Sequence, residues 1–356
     1  MIGRAKEGTA LVALVKLAIP LCQQAEHACP RTGPGRKPVI PDWVMAVLII
    51  VAVLKQRKTK SAQYRYLRTQ RTPLLTCLGT DRFPSRSTYF DRYRRAWHLY
   101  EHAIHLAGNR AVRGGLAEAK SVAVDQSVVR ARGPCWNKRQ LARKRLPHGA
   151  DREATWTYSN YHGWILGYSY EVLVSAGKNG PVWPLLASAG PASWQPARTF
   201  PDKIAHLPKA TRHVLGDAGY DSNEHAEAIE WNAHGQPTGR HFLCPQIYRR
   251  GEHRRPSAPR VEKGVRRLHR QRRDQRRRYF QQPHAQRLYQ RRSQTVEPFN
   301  DWLKSRFDLH DRAWHRGLDN NRTQLLAAIF GYQLLLLYNY HRGRRDGKVQ
   351  CILDGL

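Results

Sequence analysis

The sequence predicts an α/β protein, a mixed five-stranded sheet flanked by helices and preceded by an all-helical N-terminal region. Two observations predict it. Residues 1 to about 115 read as helical, and from Ser121 onward short apolar runs alternate with helical segments. The later segments follow the order strand, hairpin, helix, strand, helix, strand, helix, which suits a sheet that mixes antiparallel and parallel neighbours.

In the first region an apolar segment spans residues 9–22, and a Gly/Pro-rich linker runs from Thr32 to Pro41. A helix is expected from Asp42 to about Arg57, with Pro41 and Asp42 as start signals. Its apolar run, Trp43 to Leu54, has twelve residues, too few to span a bilayer, and reads as a buried helix. Segments Ser61 to Arg71 and Pro84 to Ala96 resemble two basic helices of a helix-turn-helix. Ser85 or Ser87 caps the second, leaving Arg86, Arg92 and Arg95 exposed for DNA. The alternative is a basic helical hairpin packed on the rest of the chain.

Next come the strands. Ser121 to Val124 is the first, Tyr168 to Ser175 alternates as a half-buried strand, and Val182 to Ser188 returns after the Lys178-Asn-Gly180 turn. A short helix covers Ala197 to His206 and a strand His213 to Gly216. A helix follows from Ser222 to Ala233, capped by Asp221 or Ser222, and a last strand runs from Arg240 to Cys244. Residues 249–278 hold fourteen Lys/Arg and three acids, a net of +11. Arg266, Arg270, Arg273 and Arg277 are spaced by four, three and four, a stripe able to follow a phosphate backbone if the segment is helical. A disordered basic loop is the other reading. A helix is then expected from Glu297 to about Phe307 with Pro298 in its first turn, and another from Asn320 to about His341. The expected division is residues 1–115, residues 116–345 and a tail at 346–356.

Bulk composition narrows the partners. The 356 residues are 41% hydrophobic with ten tryptophans, enough to fill a sizeable core. Sixty-one Lys/Arg against 27 acids leave a formal net charge of +34, so nucleic acid is the first-choice partner and a membrane is not expected. Residues Thr9 to Cys22 imitate a signal segment, but Lys16 and Pro20 interrupt it. Six cysteines without a C-x-x-C pair suit reduced thiols in a cytoplasm. His241-Phe-Leu-Cys244 reads as a strand end rather than half of a metal site.

Three acids carry the chemistry. Asp125 closes the apolar run from Ser121, Asp217 closes the run from His213, and Glu297 lies seven residues before Lys304. Converging carboxylates from separate elements suffice for Mg²⁺, with Mn²⁺ as a substitute. Two such ions serve the attacking and leaving oxygens of a phosphodiester. Each acid alone has an ordinary reading as turn former or cap.

Context makes the three specific. Asp125-Gln-Ser-Val, Gly216-Asp217-Ala-Gly-Tyr220-Asp221-Ser222, and Tyr289-x2-Arg292-x4-Glu297-x6-Lys304 resemble the signature blocks of the DDE transposases of bacterial insertion sequences. The likeness covers about residues 120–340. It implies a ribonuclease-H-like catalytic core in which Asp125, Asp217 and Glu297 bind two metal ions. It also implies that Tyr289, Arg292 and Lys304 contact DNA phosphates. The family pattern commonly has three residues between Arg and Glu where this chain has four, so Arg291 is an alternative to Arg292. Gly219 and Tyr220 are expected to shape the turn, and Trp156, Trp164, Trp183 and Trp194 to pack the core rather than stack on an unpaired base.

The implied activity is cleavage at terminal inverted repeats and joining to target DNA, by a homodimer on double-stranded DNA in a bacterial nucleoid. A structure-selective endonuclease on the same fold, or a domesticated or inactive DNA-binding protein, are the competing readings.

Overall fold

A computed structural model describes residues 2–29, 38–159, 162–178, 180–246 and 264–356, with the side chains of residues 2–9, 265 and 266 left aside. The part of the basic segment before residue 264, and the Arg266 side chain, therefore lie outside the described residues.

Six helices come first: α1 (Ile2–Ala28), α2 (Asp42–Leu54), α3 (Lys60–Thr69), α4 (Arg71–Leu78), α5 (Arg86–Tyr93) and α6 (Trp97–Arg113). Every residue of α2 from Val44 to Leu54 is buried, as a helix apolar on all sides must be. Its start is held from two directions. Glu26 of α1 accepts the Asp42 amide at 2.7 Å, and the Asp42 carboxylate pairs with Arg92 of α5. Arg92 is thus a buried clamp on Asp42 and the Ile40 carbonyl, not an exposed cation as the helix-turn-helix reading required. Arg86 is exposed and reaches the Ser61 hydroxyl at 3.3 Å. Ser85 caps α5 by accepting from the Thr88 amide. Between the two basic helices lies α4, closed by Gly79 in the left-handed region at φ 62°.

Among the described residues the sheet has six strands, one more than expected. They are β1 (Ser121–Arg130), β2 (Thr155–Ser159), β3 (Gly163–Ser175), β4 (Pro184–Pro191), β5 (His213–Leu215) and β6 (His241–Leu243). The order is β2-β3-β1-β5-β6, with β4 beside β2 on the outer edge of β3. β1 runs antiparallel to β3 and parallel to β5, and β5 parallel to β6, so the sheet is mixed as expected. β1 and β3 approach closely at Gly167, where a Cβ would stand 2.1 Å from the Val129 carbonyl oxygen. β1 continues five residues past Asp125, which places that acid mid-strand rather than at a strand end.

Helix α7 (Lys138–Ala142) precedes β2, α8 (Pro196–Ala205) follows β4, and α9 (Asn223–Glu230), capped by Ser222, follows β5. Then come α10 (Val265–Phe280), α11 (Pro283–Arg306), α12 (Leu318–His341) and α13 (Gln350–Asp354). α11 begins at Pro283, fourteen residues earlier than expected, so Pro298 lies inside it and not in its first turn. α12 is buried along most of its length between the sheet and the first helices. Its Gln333 amide donates to the carbonyls of Ile104 (2.9 Å) and Pro184 (2.7 Å), tying α6 to β4 through one side chain. A single hydrophobic core therefore runs from α1 and α2 through α12 to the sheet. No helix among the described residues is long and apolar enough to cross a membrane.

Candidate active site

The three acids come from three elements that the topology brings together. Asp125 sits on β1, Asp217 in the turn leaving the adjacent parallel strand β5, and Glu297 on α11, which packs against β1. Their meeting point is the guanidinium of Arg292. Its Nη2 lies 2.7 Å from Asp125 Oδ1 and 3.6 Å from Asp217 Oδ2, and its Nη1 lies 3.7 Å from Glu297 Oε1. Exposure rises outward across the site, from 16% for the Asp125 side chain to 45% for Asp217 and 61% for Glu297, with Arg292 at 12%. The result is one deep and two accessible carboxylates around a buried cation.

Electrostatics follow from that arrangement. Burial pushes the Asp125 carboxyl up to about 6, with Asp217 and Glu297 acting the same way and Arg292 opposing. Burial disfavours the Arg292 charge, yet Asp125 and Asp217 outweigh it and hold the guanidinium above its ordinary range. Burial also lowers Lys304, against the attraction of Asp125 and Asp301, and lifts Tyr289 to about 12. Both side chains feel the charge of the site, so Tyr289, Arg292, Glu297 and Lys304 border it from one helix. Arg291 points elsewhere, close enough to His213 for its charge to help depress that imidazole. The four-residue spacing to Glu297 thus leaves Arg292, not Arg291, facing the acids.

Two supports were not legible beforehand. Asn300 donates from Nδ2 to Asp125 Oδ2 at 2.8 Å and accepts from the Tyr170 hydroxyl at 3.0 Å, so both oxygens of Asp125 are held. It lies one turn past Glu297 on the same helix face, which is the only signal the sequence offered. The second support holds the Asp217 turn. Asp217 Oδ1 accepts the Gly219 amide at 2.9 Å, and Tyr220, at the end of the same short 3₁₀ turn, donates its hydroxyl to Glu171 Oε2 at 2.9 Å. Glu171 is buried on β3, pairs with buried Lys203 of α8 at 2.7 Å, and also accepts from Thr199 at 2.7 Å. Tyr220 therefore anchors the turn to the far side of the sheet.

The basic stripe is divided by packing. Arg273 pairs with Asp221 at 3.1 Å, while its neighbours Arg272 and Arg276 reach Glu227 and Glu230, so this face of α10 is turned onto α9. Arg277 is half-buried near Asp274, and Arg270 is exposed. The outward face carries Arg267, Arg270, Gln271, Gln275 and Arg278 around a shallow groove. Among the tryptophans, Trp183 is fully buried, Trp156 and Trp194 partly so, and Trp164 projects into solvent. The six cysteines are free, and Cys244 donates its thiol to the Asp217 carbonyl.

Among the described residues no group of three or more His, Cys, Asp or Glu side chains is assembled as a ready ion site. At the three acids the central position is held by Arg292. The donor set nevertheless consists of carboxylate oxygens, two of them from accessible side chains, which fits a hard divalent cation once the guanidinium moves aside.

A family described as the transposase DDE domain matches residues 117–334. No curated protein and no solved structure matches the chain.

Proposed function

The chain belongs to the transposase DDE domain family, whose activity is DNA cleavage and transfer, and from that premise we propose that it cuts at the terminal inverted repeats of its own element and joins the freed ends to target DNA. The observation that carries this reading is the convergence of Asp125, Asp217 and Glu297 on one guanidinium. The net charge of +34 supports a polyanionic substrate.

Asp125, Asp217 and Glu297 would hold two Mg²⁺ or Mn²⁺ ions. Bound there, such ions supply activation of the attacking oxygen and stabilisation of the leaving one. The chain's own side chains position the DNA. Tyr289 and Lys304 border the acids and would take the phosphates beside the scissile bond, and Arg292 would pass from the acids to a phosphate oxygen, a geometry its fork of donors suits. Asn300 keeps Asp125 in a single orientation, and the Tyr220 anchor does the same for the Asp217 turn. In the first step a water oxygen bonds to phosphorus and the 3′ oxygen leaves as a hydroxyl. In the second, that hydroxyl attacks a target phosphate and releases a new 3′ hydroxyl. Paired ends require two active sites, hence a homodimer on double-stranded DNA, working in the bacterial nucleoid.

The test is Mg²⁺-dependent cutting and joining of the gene's own flanking repeats. Asp217→Asn should abolish both while leaving DNA binding nearly intact. Equal cutting by this variant would remove Asp217 from the site, and cutting without any joined product carrying a short target duplication would reduce the protein to a nuclease.

A further inference from the structure

The outer part of β3 presents two large aromatic side chains that the core does not use. Tyr158 of β2 and Trp164 of β3 are direct cross-strand partners, and their rings meet edge to face at 5.6 Å. They remain 62% and 69% exposed. The ladder fixes where they point. Val172 stands opposite Asp125, so the two share a face of the sheet. Trp164 precedes Val172 by an even number of residues on the same strand and therefore projects from that face as well. At ~3.3 Å per residue along β3, the separation from Asp125 is roughly 26 Å.

Positive charge lies alongside. Residues 130–153 contain eight Lys/Arg and two acids. Asp151 is buried, and Glu153, though exposed, is engaged by a backbone amide. Asp151 accepts from the Tyr168 hydroxyl at 2.6 Å and the Gly317 amide at 3.1 Å, and Glu153 accepts from the Leu318 amide at 2.6 Å. Arg130, Arg132, Arg139, Arg143, Arg145 and Arg152 are exposed. One indole pins this segment to the hairpin, Trp156 of β2 donating to the Trp136 carbonyl at 2.7 Å, and a second ties the segment to itself, Trp136 donating to the Asp151 carbonyl at 2.6 Å.

We propose that the β2–β3 hairpin and the basic segment beside it form a second contact to duplex DNA, on the same face as Asp125. At ~3.4 Å per base pair, that contact falls about eight base pairs from the scissile phosphate. The cations take phosphates, and the aromatic pair packs into the groove against base edges or an opened base step. A polyanion is the occupant because the strip is cationic and its acids are already spent. The strip's own positive charge suits a polyanion better than another cationic protein surface. The inference rests on the proposed binding of DNA at Asp125 and adds where a distant part of the same duplex is held.

The test measures binding of the full-length protein in EDTA, where no cut occurs, to repeat-end duplexes extending either roughly four or roughly fourteen base pairs on each side of the cut, lengths that fall short of or pass the hairpin. The double variant Tyr158→Ala/Trp164→Ala should bind the long duplex ~10- to 100-fold more weakly, as loss of base–aromatic contact does, and the short one unchanged. Trp164→Phe should recover most of the loss. A 2-aminopurine placed about eight base pairs from the cut should change its fluorescence with wild type and not with the double variant. Wild-type binding of both duplexes by the double variant, or equal weakening on both, overturns the hairpin contact while leaving the catalytic reading intact. A wild-type protein that binds no duplex overturns both, and one that binds with the expected length dependence but does not cut leaves the hairpin contact standing without the catalytic reading.

Discussion

Arg292 stands 2.7 Å from Asp125, with the same nitrogen 3.6 Å from Asp217, so a side chain supplies positive charge between the two acids. Arg292→Gln removes the cation that the three carboxylates share. Mn²⁺ should then bind the DNA-free variant several-fold more tightly than wild type by calorimetry, and the variant should melt lower in EDTA. An unchanged or weaker Mn²⁺ affinity would mean that the guanidinium does not compete with the ion.

Asn300 holds the second oxygen of Asp125 at 2.8 Å. Groups that orient metal ligands typically contribute about 10- to 100-fold in affinity or activity, and Asn300→Ala should lose cleavage on that scale while binding DNA like wild type. The higher Mn²⁺ concentration needed for half-maximal cutting is the distinguishing readout; a loss in DNA affinity alone would assign Asn300 to the substrate instead.

Glu171 and Lys203 form an ion pair that is almost wholly buried. Removing one member strands the other, and Glu171→Gln should cost about 3–5 kcal/mol in denaturant unfolding. Tyr220→Phe removes only a hydroxyl and should cost about 1 kcal/mol. If the Tyr220 anchor orients Asp217, the Phe variant also loses cleavage beyond what its small stability change explains.

His315 is buried against Tyr93, with its Nε2 3.0 Å from the Tyr93 hydroxyl. Burial, helped by Lys60 and Arg132, pushes its imidazole from 6.5 down to about 3. The folded state keeps His315 neutral while the unfolded chain protonates it. Its contribution is therefore complete above the unfolded value and is lost as pH falls toward the folded one, at about 1.4 kcal/mol per unit. Between pH 6.5 and 4 the stability of His315→Gln should fall less steeply than that of wild type.

Much of the fold could be read from local pattern. Val44 to Leu54 is apolar at every position, and such a helix has nowhere to go but the interior. The parallel strands β5 and β6 were short apolar runs bounded by turn residues. Other features carried weaker signals. Thr155-Trp-Thr-Tyr-Ser159 alternates as a strand should, but five residues with no Gly or Pro next to either end give a weak signal, and pairing with β3 is what makes the hairpin that displays Trp164. Pro298 suggested a helix start, whereas α11 already has Pro283 at its first turn and tolerates the second proline inside. Arg92 looked like any exposed helical arginine until Asp42, fifty residues away in sequence, was placed against it.

By itself the sequence offered Asp125, Asp217 and Glu297 as the candidates for chemistry, in a chain whose net charge of +34 suits a polyanionic partner. Tertiary structure decided which way those elements face. Helical spacing assigns Arg266, Arg270, Arg273 and Arg277 to one stripe, but the rotation of α10 about its own axis depends on Asp221, Glu227 and Glu230, and their pull turns Arg273 inward. Likewise, spacing alone left Arg291 and Arg292 equivalent, and only the packing of α11 on β1 put one of them among the acids. Periodicity is a property of one segment, whereas orientation is set by the free energy of contacts between segments distant in sequence.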